Sequence, residues 1–230
     1  FAYALYLKLK RDLKNNPNIE SWVRRWFVMS LLTGRYSASP ESQFDKDIKA
    51  IHEKGVSEVL VGVEAAELSD AFWDVGLVQN LTTSSVNAPA LKVFWAAQVN
   101  LGDKGFLCKD ITVRDMLIHH GDIHHVFPRN FLKKRGLTQG KYNQVANFVY
   151  LQQEVNIKIG DRSPADYMAR VLQQCAEGEA FFGAITKLDD LQANLDLNCL
   201  PADIAAYQPE NYEAFLEARR VKMAQKIKQY

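Results

Sequence analysis

The stretch Gly121-Asp122-Ile123-His124-His125-Val126-Phe127-Pro128-Arg129-Asn130-Phe131 differs in composition from the chain around it. Together with residues 145–153 (VANFVYLQQ) it is richer in β-branched and aromatic residues than its flanks, and a basic, glycine-containing stretch separates the two. Two short strands with an insertion fit this pattern best. Outward from here the periodicity is helical. Residues 1–14 read as one helix. Trp22, Trp26 and Met29, beside Val23, Phe27 and Ser30, give a second with a broad apolar face, stopped by Thr33-Gly34. Ser39-Pro40-Glu41 supplies a hydroxyl cap, a proline at the first helical position and an acid near the positive dipole end. Phe44, Ile48 and Ile51 follow at helical spacing until Lys54-Gly55. Further helices are expected over 66–74 and 88–101, joined by the polar loop 80–85. Ser163-Pro164 opens another through Tyr167, Met168, Val171 and Leu172. Pro209 opens a long one whose stripe is Tyr212, Phe215, Leu216, Met223 and Ile227. Arg219, Arg220, Lys222, Lys226 and Lys228 occupy the rest of that helix and read as a solvated face.

The expected fold is therefore α+β and predominantly α-helical. It is read as a single unit over 1–230, with a helical part at 1–110, the distinctive segment within 111–175 and a closing helical part at 176–230. With 230 residues and 47% apolar content, the chain can bury a sizeable core, which excludes disordered and collagen-like classes. Its 28 basic against 27 acidic residues leave nucleic-acid binding open, because a phosphate-binding face needs local density and not a basic whole. Cys108, Cys175 and Cys199 have no CxxC spacing, so neither a disulfide framework nor a thiolate zinc site is signalled, and a cytoplasmic location is expected. No uncharged apolar run approaches the roughly 20 residues that span a bilayer, and no secretory signal is present, so no membrane partner is expected. The start at Phe1, without Met, reads as a domain excised from a longer polypeptide.

Four of the five histidines, His119, His120, His124 and His125, fall close together. For His119 and His120 the structural reading is favoured, as caps at the negative end of a helix beginning near Val113. His124 and His125 are a separate case, because Val126-Phe127-Pro128 follows them directly and Asn147 and Asn156 lie downstream. The run His124-His125-Val126-Phe127-Pro128, Asn147 in Ala-Asn-Phe-Val-Tyr-Leu, and Asn156 in Asn-Ile-Lys-Ile-Gly-Asp-Arg-Ser-Pro together resemble the C-terminal nuclease domain of GmrSD-type modification-dependent restriction enzymes, of the HNH or His-Me finger class. Gly34-Arg35-Tyr36-Ser37 with Phe44-Asp45-Lys46-Asp47-Ile48 resembles that family's N-terminal helical part. Asn211-Tyr212 with Phe215-Leu216-Glu217-Ala218-Arg219 resembles its closing helix.

The resemblance implies an embedded ββα-metal motif, with strands near 122–127 and 146–152 and a helical segment after 154. It further implies that His125 is the general base, His124 and Asn156 are metal ligands, and Asn147 is the middle asparagine of the catalytic set. Its other implications are DNA as substrate, Mg²⁺ or Mn²⁺ as cofactor, an N-terminal nucleotide-dependent sensor domain or subunit as partner, and a role in restricting modified or phage DNA. Many members have an acid where this chain has His124 and a histidine where it has Asn156, so fewer negative charges hold the ion here.

The chemistry of the set can be argued independently. Phosphodiester hydrolysis needs a base to deprotonate water, a cation to offset charge growing on phosphoryl and leaving oxygens, and donors that hold the backbone. A neutral imidazole accepts a proton near neutral pH, and an imidazole nitrogen with an amide oxygen can share a divalent ion that keeps several waters. Asn147 can fix the histidine-bearing loop, since an amide both donates and accepts. In a regular strand Asp122 shares a face with His124, and Ile123 with His125. Either the strand ends or bulges here, or Asp122 also reaches the metal, and Asp122 is kept as a secondary ligand candidate. Arg129, Lys133, Lys134, Arg135 and Lys141, with no acid between 129 and 141, and Lys158 and Arg162 beside Asn156, fit contact with a phosphate backbone. A single finger works on one strand at a time, so nicking is the expected product. The rival readings are a catalytically silent nuclease-like DNA-binding or regulatory module, and a helical domain with an accidental histidine cluster.

Overall fold

Leu5 and Leu9, one helical turn apart, are the buried stripe of α1 (Ala2–Leu13), and Ile19, Trp26 and Met29 are its counterpart on α2 (Ile19–Thr33). In the computed structural model, which describes residues 1–119 and 121–230, the chain divides into two compact units, Phe1–Leu77 and Val78–Tyr230. The inner boundary expected near residue 110 thus falls inside the second unit. In the first, α2 stops at Gly34, whose left-handed φ of 64° lets its N–H reach Ser30 O. Helix α3 (Pro40–Lys54) begins where expected, but the Ser39 hydroxyl makes no capping bond. The helix expected over 66–74 is instead split. Helix α4 (Val56–Glu67) starts straight after α3 and ends at Leu68, and the Ser69 hydroxyl accepts from Phe72 N to open a π-helical turn, Phe72–Gly76, leading into α5 (Leu77–Asn80).

A buried polar network joins Arg35-Tyr36 to α3. Arg35 donates to both oxygens of Asp47 (2.9 and 2.6 Å) and to Glu67. Asp47 also accepts from Tyr36 Oη (2.7 Å) and Gln43 Nε2 (3.0 Å), and Trp26 Nε1 donates to Tyr36 Oη (2.8 Å). With so many donors around one carboxylate, the network keeps its polar groups satisfied away from water.

The second unit is built on α6 (Pro89–Leu101), which buries Leu91, Phe94, Trp95 and Ala97 and so has no wholly polar side. α7 (Val113–Ile118) opens with a Thr112/Asp115 capping box, and at its end the His119 ring donates from Nδ1 to Asp115 O (2.8 Å). His120 lies outside the described residues. Gly121 closes the turn by donating to Met116 O. A Cβ there would meet that oxygen at 2.9 Å, so glycine is needed for the chain to enter the sheet.

Strand β1 (Ile123–His125) then leads into two short helices, α8 (Arg129–Lys133) and α9 (Gln139–Tyr142). β2 (Phe148–Tyr150) returns antiparallel to β1 with Ile123 opposite Tyr150 and His125 opposite Phe148, and α10 (Gln153–Ile159) follows. Both strands are shorter than expected, because a 3₁₀ turn, Val145–Asn147, replaces the first part of the second run. α11 (Pro164–Glu177) opens with the expected Ser163 cap, in a box with Asp166; α12 (Leu188–Leu197) and α13 (Tyr212–Gln229) complete the unit. No helix among the described residues is long and apolar enough to cross a membrane.

The basic face of α13 corrects the solvated reading. Its apolar stripe packs as expected, but Arg219 is 1% exposed, and Arg220 and Lys226 are also buried. Arg219 donates to Ala146 O (2.8 Å) and Asn198 O (3.2 Å), and burial among carbonyls with no carboxylate partner lowers its pKa to about 10. Arg220 bonds Glu213 and Gln144, and Lys226 bonds Asp103 and Leu197 O. These cations tie α13 to the segments that carry β2 and α6; Lys222 is half-buried beside Asp196 (3.5 Å), and only Lys228 stays exposed.

Candidate functional site

The ladder between β1 and β2 ends because Asn147 takes over from it. Val126 N donates to Asn147 O (2.8 Å), after which Phe127 N donates to the Asn147 side-chain oxygen (2.8 Å). Asn147 Nδ2 in turn donates to Phe127 O and Tyr142 O, both at 3.1 Å. Its carboxamide is saturated and the residue is 0% exposed, so Asn147 lies beneath the surface and cannot touch a substrate. What it does is hold Phe127-Pro128 in a bend that starts α8. Phe127 fills the space among Phe131, Tyr212 and Phe215, and Tyr167 Oη ties Val126 O from α11 (3.0 Å).

His124 and His125 both belong to β1 and differ in burial, yet both line one cleft of about 340 Å³. The other walls are Pro128, Arg129 and Asn130 from the start of α8, and Asn156, Ile157, Gly160 and Asp161 from α10 and the turn after it. The cleft therefore unites four residues singled out by sequence, His124, His125, Asn156 and Arg129, and adds Asn130 and Asp161, which were not. Asp122 is exposed and does not line it, although its charge favours protonation of His124.

His124 is buried, and its Nε2 has no hydrogen-bond partner among the described residues. An unpaired imidazole nitrogen costs free energy unless something accepts its lone pair or its proton. Because His124 lines a polar cleft, this unpaired nitrogen fits a cation. Among the described residues no group of three or more His, Cys, Asp or Glu side chains could hold a metal ion, so an ion here would rest on this imidazole, the Asn156 amide and water. His125 Nε2 lies 2.9 Å from Asn143 Oδ1, and the ring meets Phe148 edge-on with centroids 5.2 Å apart.

Burial is the main cause that lowers the pKa of both histidines. For His124 the Asp122 charge and the Leu151 backbone oppose it. For His125 the Asn143 bond opposes it, whereas the charges of Arg129 and His124 add to it. Both rings are thus kept neutral in the folded chain at neutral pH. Because the folded pKa values are depressed, the associated stability is intact above the unfolded histidine value of about 6.5 and is lost as pH falls through the folded values. Thermal melts in EDTA should therefore show the melting temperature falling below that pH, with a shallower fall in a His125→Asn variant. An equal slope in the variant would show that His125 contributes nothing to it.

Of the other basic candidates, none lines the cleft. Lys133 is exposed on α8. Lys134 pairs with Asp161 (2.8 Å), and Arg135 donates to Phe131 O and stacks on that ring, 3.7 Å from its centroid. Lys158 donates to Phe181 O (3.2 Å), and Arg162 caps the end of α10 through Lys158 O and Ile159 O. All five are exposed, and Lys134, Arg135, Lys158 and Arg162 also act as structural donors. Asn143 was missed because its partner lies 18 residues away in sequence and no local pattern marks it.

Comparison with known proteins finds no matching family model and no matching solved structure. An uncharacterized protein of Methanocaldococcus jannaschii is similar, 23% identical over 235 residues that cover 95% of this chain and 38% of that protein. The chain thus spans well under half the length of this relative.

Proposed function

We propose that this chain is the nuclease part of a metal-dependent DNA endonuclease of the HNH, His-Me finger, class, with β1, β2 and α10 as its ββα motif. The observation that carries the reading is the single cleft that joins His124, His125, Asn156 and Arg129. His125 is the base. An amide oxygen can only accept, so the bond to Asn143 requires a proton on Nε2 and leaves the lone pair of the neutral ring on Nδ1 to take a proton from water. His124 and Asn156 would hold a divalent ion, Mg²⁺ or Mn²⁺, which when bound offsets charge on the phosphoryl and leaving oxygens. Arg129, which also lines the cleft, binds the phosphate, and the exposed charges of Lys133, Lys134, Arg135, Lys158 and Arg162 favour the approach of DNA. Asn147 keeps the bend between base and Arg129 fixed. In this reading the chain acts in the cytoplasm within a longer restriction protein or complex, where an N-terminal nucleotide-dependent sensor directs it to modified or phage DNA.

Supercoiled plasmid incubated with the protein in Mg²⁺, Mn²⁺ or EDTA tests this. The expected product is nicked circle, formed only with metal and preceding any linear form. DNA held equally with and without metal and never cut, by this chain or by the full-length protein, would make it a binding module instead. His124→Ala should raise the metal concentration for half-maximal nicking at least about tenfold, the lower end of what losing even an outer-shell partner costs. An unchanged metal dependence would remove His124 from the ligand set.

A further inference from the structure

We propose that Asn143 is a positioning residue for His125, fixing which ring nitrogen carries the proton; the inference rests on reading His125 as the base. Three observations carry it. Asn143 Oδ1 lies 2.9 Å from His125 Nε2, and among the described residues its carboxamide makes no other hydrogen bond, so this half-buried amide serves the imidazole alone. Its backbone is anchored where α9 ends, with its N–H on Gln139 O at 3.0 Å. The preceding residue, Tyr142, offers its carbonyl to Asn147 Nδ2, the same group that holds the bend just after His125. One buried asparagine therefore fixes the spacing between the base and its partner from both sides. The Phe148 edge restrains the ring without a polar bond, which leaves Asn143 as the group that selects the tautomer.

The consequence is specific. Without an acceptor at Nε2, the neutral ring divides between two tautomers and can turn about its side-chain bonds, so the lone pair is no longer fixed on Nδ1. A carboxylate at this position would still accept from Nε2, whereas a leucine of similar branched shape would not.

The test uses the purified chain and the variants Asn143→Leu and Asn143→Asp, each checked for cooperative melting. With ¹⁵N-labelled histidine at about pH 8, above the usual titration range, the imidazole spectrum of His125 reads the tautomer without DNA or metal. Wild type and Asn143→Asp should show the proton on Nε2, and Asn143→Leu a mixture. In the plasmid assay Asn143→Leu should lose roughly 10–100-fold in kcat with little change in KM, and Asn143→Asp should recover most of it. The proposal is overturned if His125 carries its proton on Nδ1 in the wild type, a result that needs no variant to fold, or if Asn143→Leu leaves the tautomer unchanged. If the tautomer follows residue 143 as expected while the wild type fails to cut, the positioning role stands and only the nuclease reading fails.

Discussion

Asn147→Leu should destabilise the Val78–Tyr230 unit by about 2–6 kcal/mol, on the scale of about 1–3 kcal/mol for each buried polar group left without a partner. Two backbone groups depend on this one side chain, Phe127 N–H and Phe127 C=O, and it also donates to Tyr142 C=O, whose other donor is Tyr212 Oη at 3.5 Å. None can turn to water, because Phe127 and Asn147 are 0% exposed and Tyr142 is buried as well. Leucine has the same number of side-chain heavy atoms in the same branched arrangement, so no cavity forms and the loss would come mainly from hydrogen bonding. Urea unfolding measures it. The midpoint should fall with little change in slope, as expected when contacts are lost but the exposed surface is not altered. A shift below about 1 kcal/mol would mean that the bend from Val126 to Pro128 is set by Phe127 packing and that the asparagine is incidental. Where the variant still folds, the cleft should lose its shape first, because Arg129 and Asn130 follow directly on the strap.

Side-chain amides recur in this role, and they mark the limit of what the sequence reveals. Asn194 accepts from Leu107 N and donates to Gly105 O and Cys108 O; Gln174 accepts from Phe181 N and Phe182 N and donates to Ile185 O. Taken singly, each reads as a turn, a cap or a surface residue, since its partners lie in loops that only the finished fold brings near. Elements with local punctuation were legible: the stop at Thr33-Gly34, the start at Ser163-Pro164, and the stripe of α13. Helix α4 was not, because it follows Gly55 with no side-chain cap to announce it. The cations of α13 misled for a related reason. Their spacing allows an exposed face, and what buries Arg219 and Lys226 are Ala146 O and Asp103, 73 and 123 residues away. At the site, adjacency made the histidines conspicuous and the downstream asparagines gave them context. That both histidines share one cleft depends on the walls that α8 and α10 supply, which no local pattern signals.

His125→Ala should abolish metal-dependent nicking, lowering kcat/KM by about 10²–10⁴-fold, the usual range for removing a positioned general base. The affinity for uncut plasmid DNA in EDTA should not change. His125 is held neutral by burial and by nearby positive charge, so it neutralises no phosphate, and its loss should leave the salt dependence of binding unaltered. Arg129→Ala should do the reverse. Removal of one phosphate contact should weaken binding across all sequences and reduce the salt slope by about 1, with the base still in place. The pair separates chemistry from binding within a single cleft. A His125→Ala protein that melts like wild type and still nicks would move the base elsewhere, and His124 would be the next residue to replace. One that loses binding and cutting together would show that His125 shapes the DNA surface, in which case Arg129, beside it in the cleft and stacked over Tyr142 at 5.6 Å, is the residue whose position it controls.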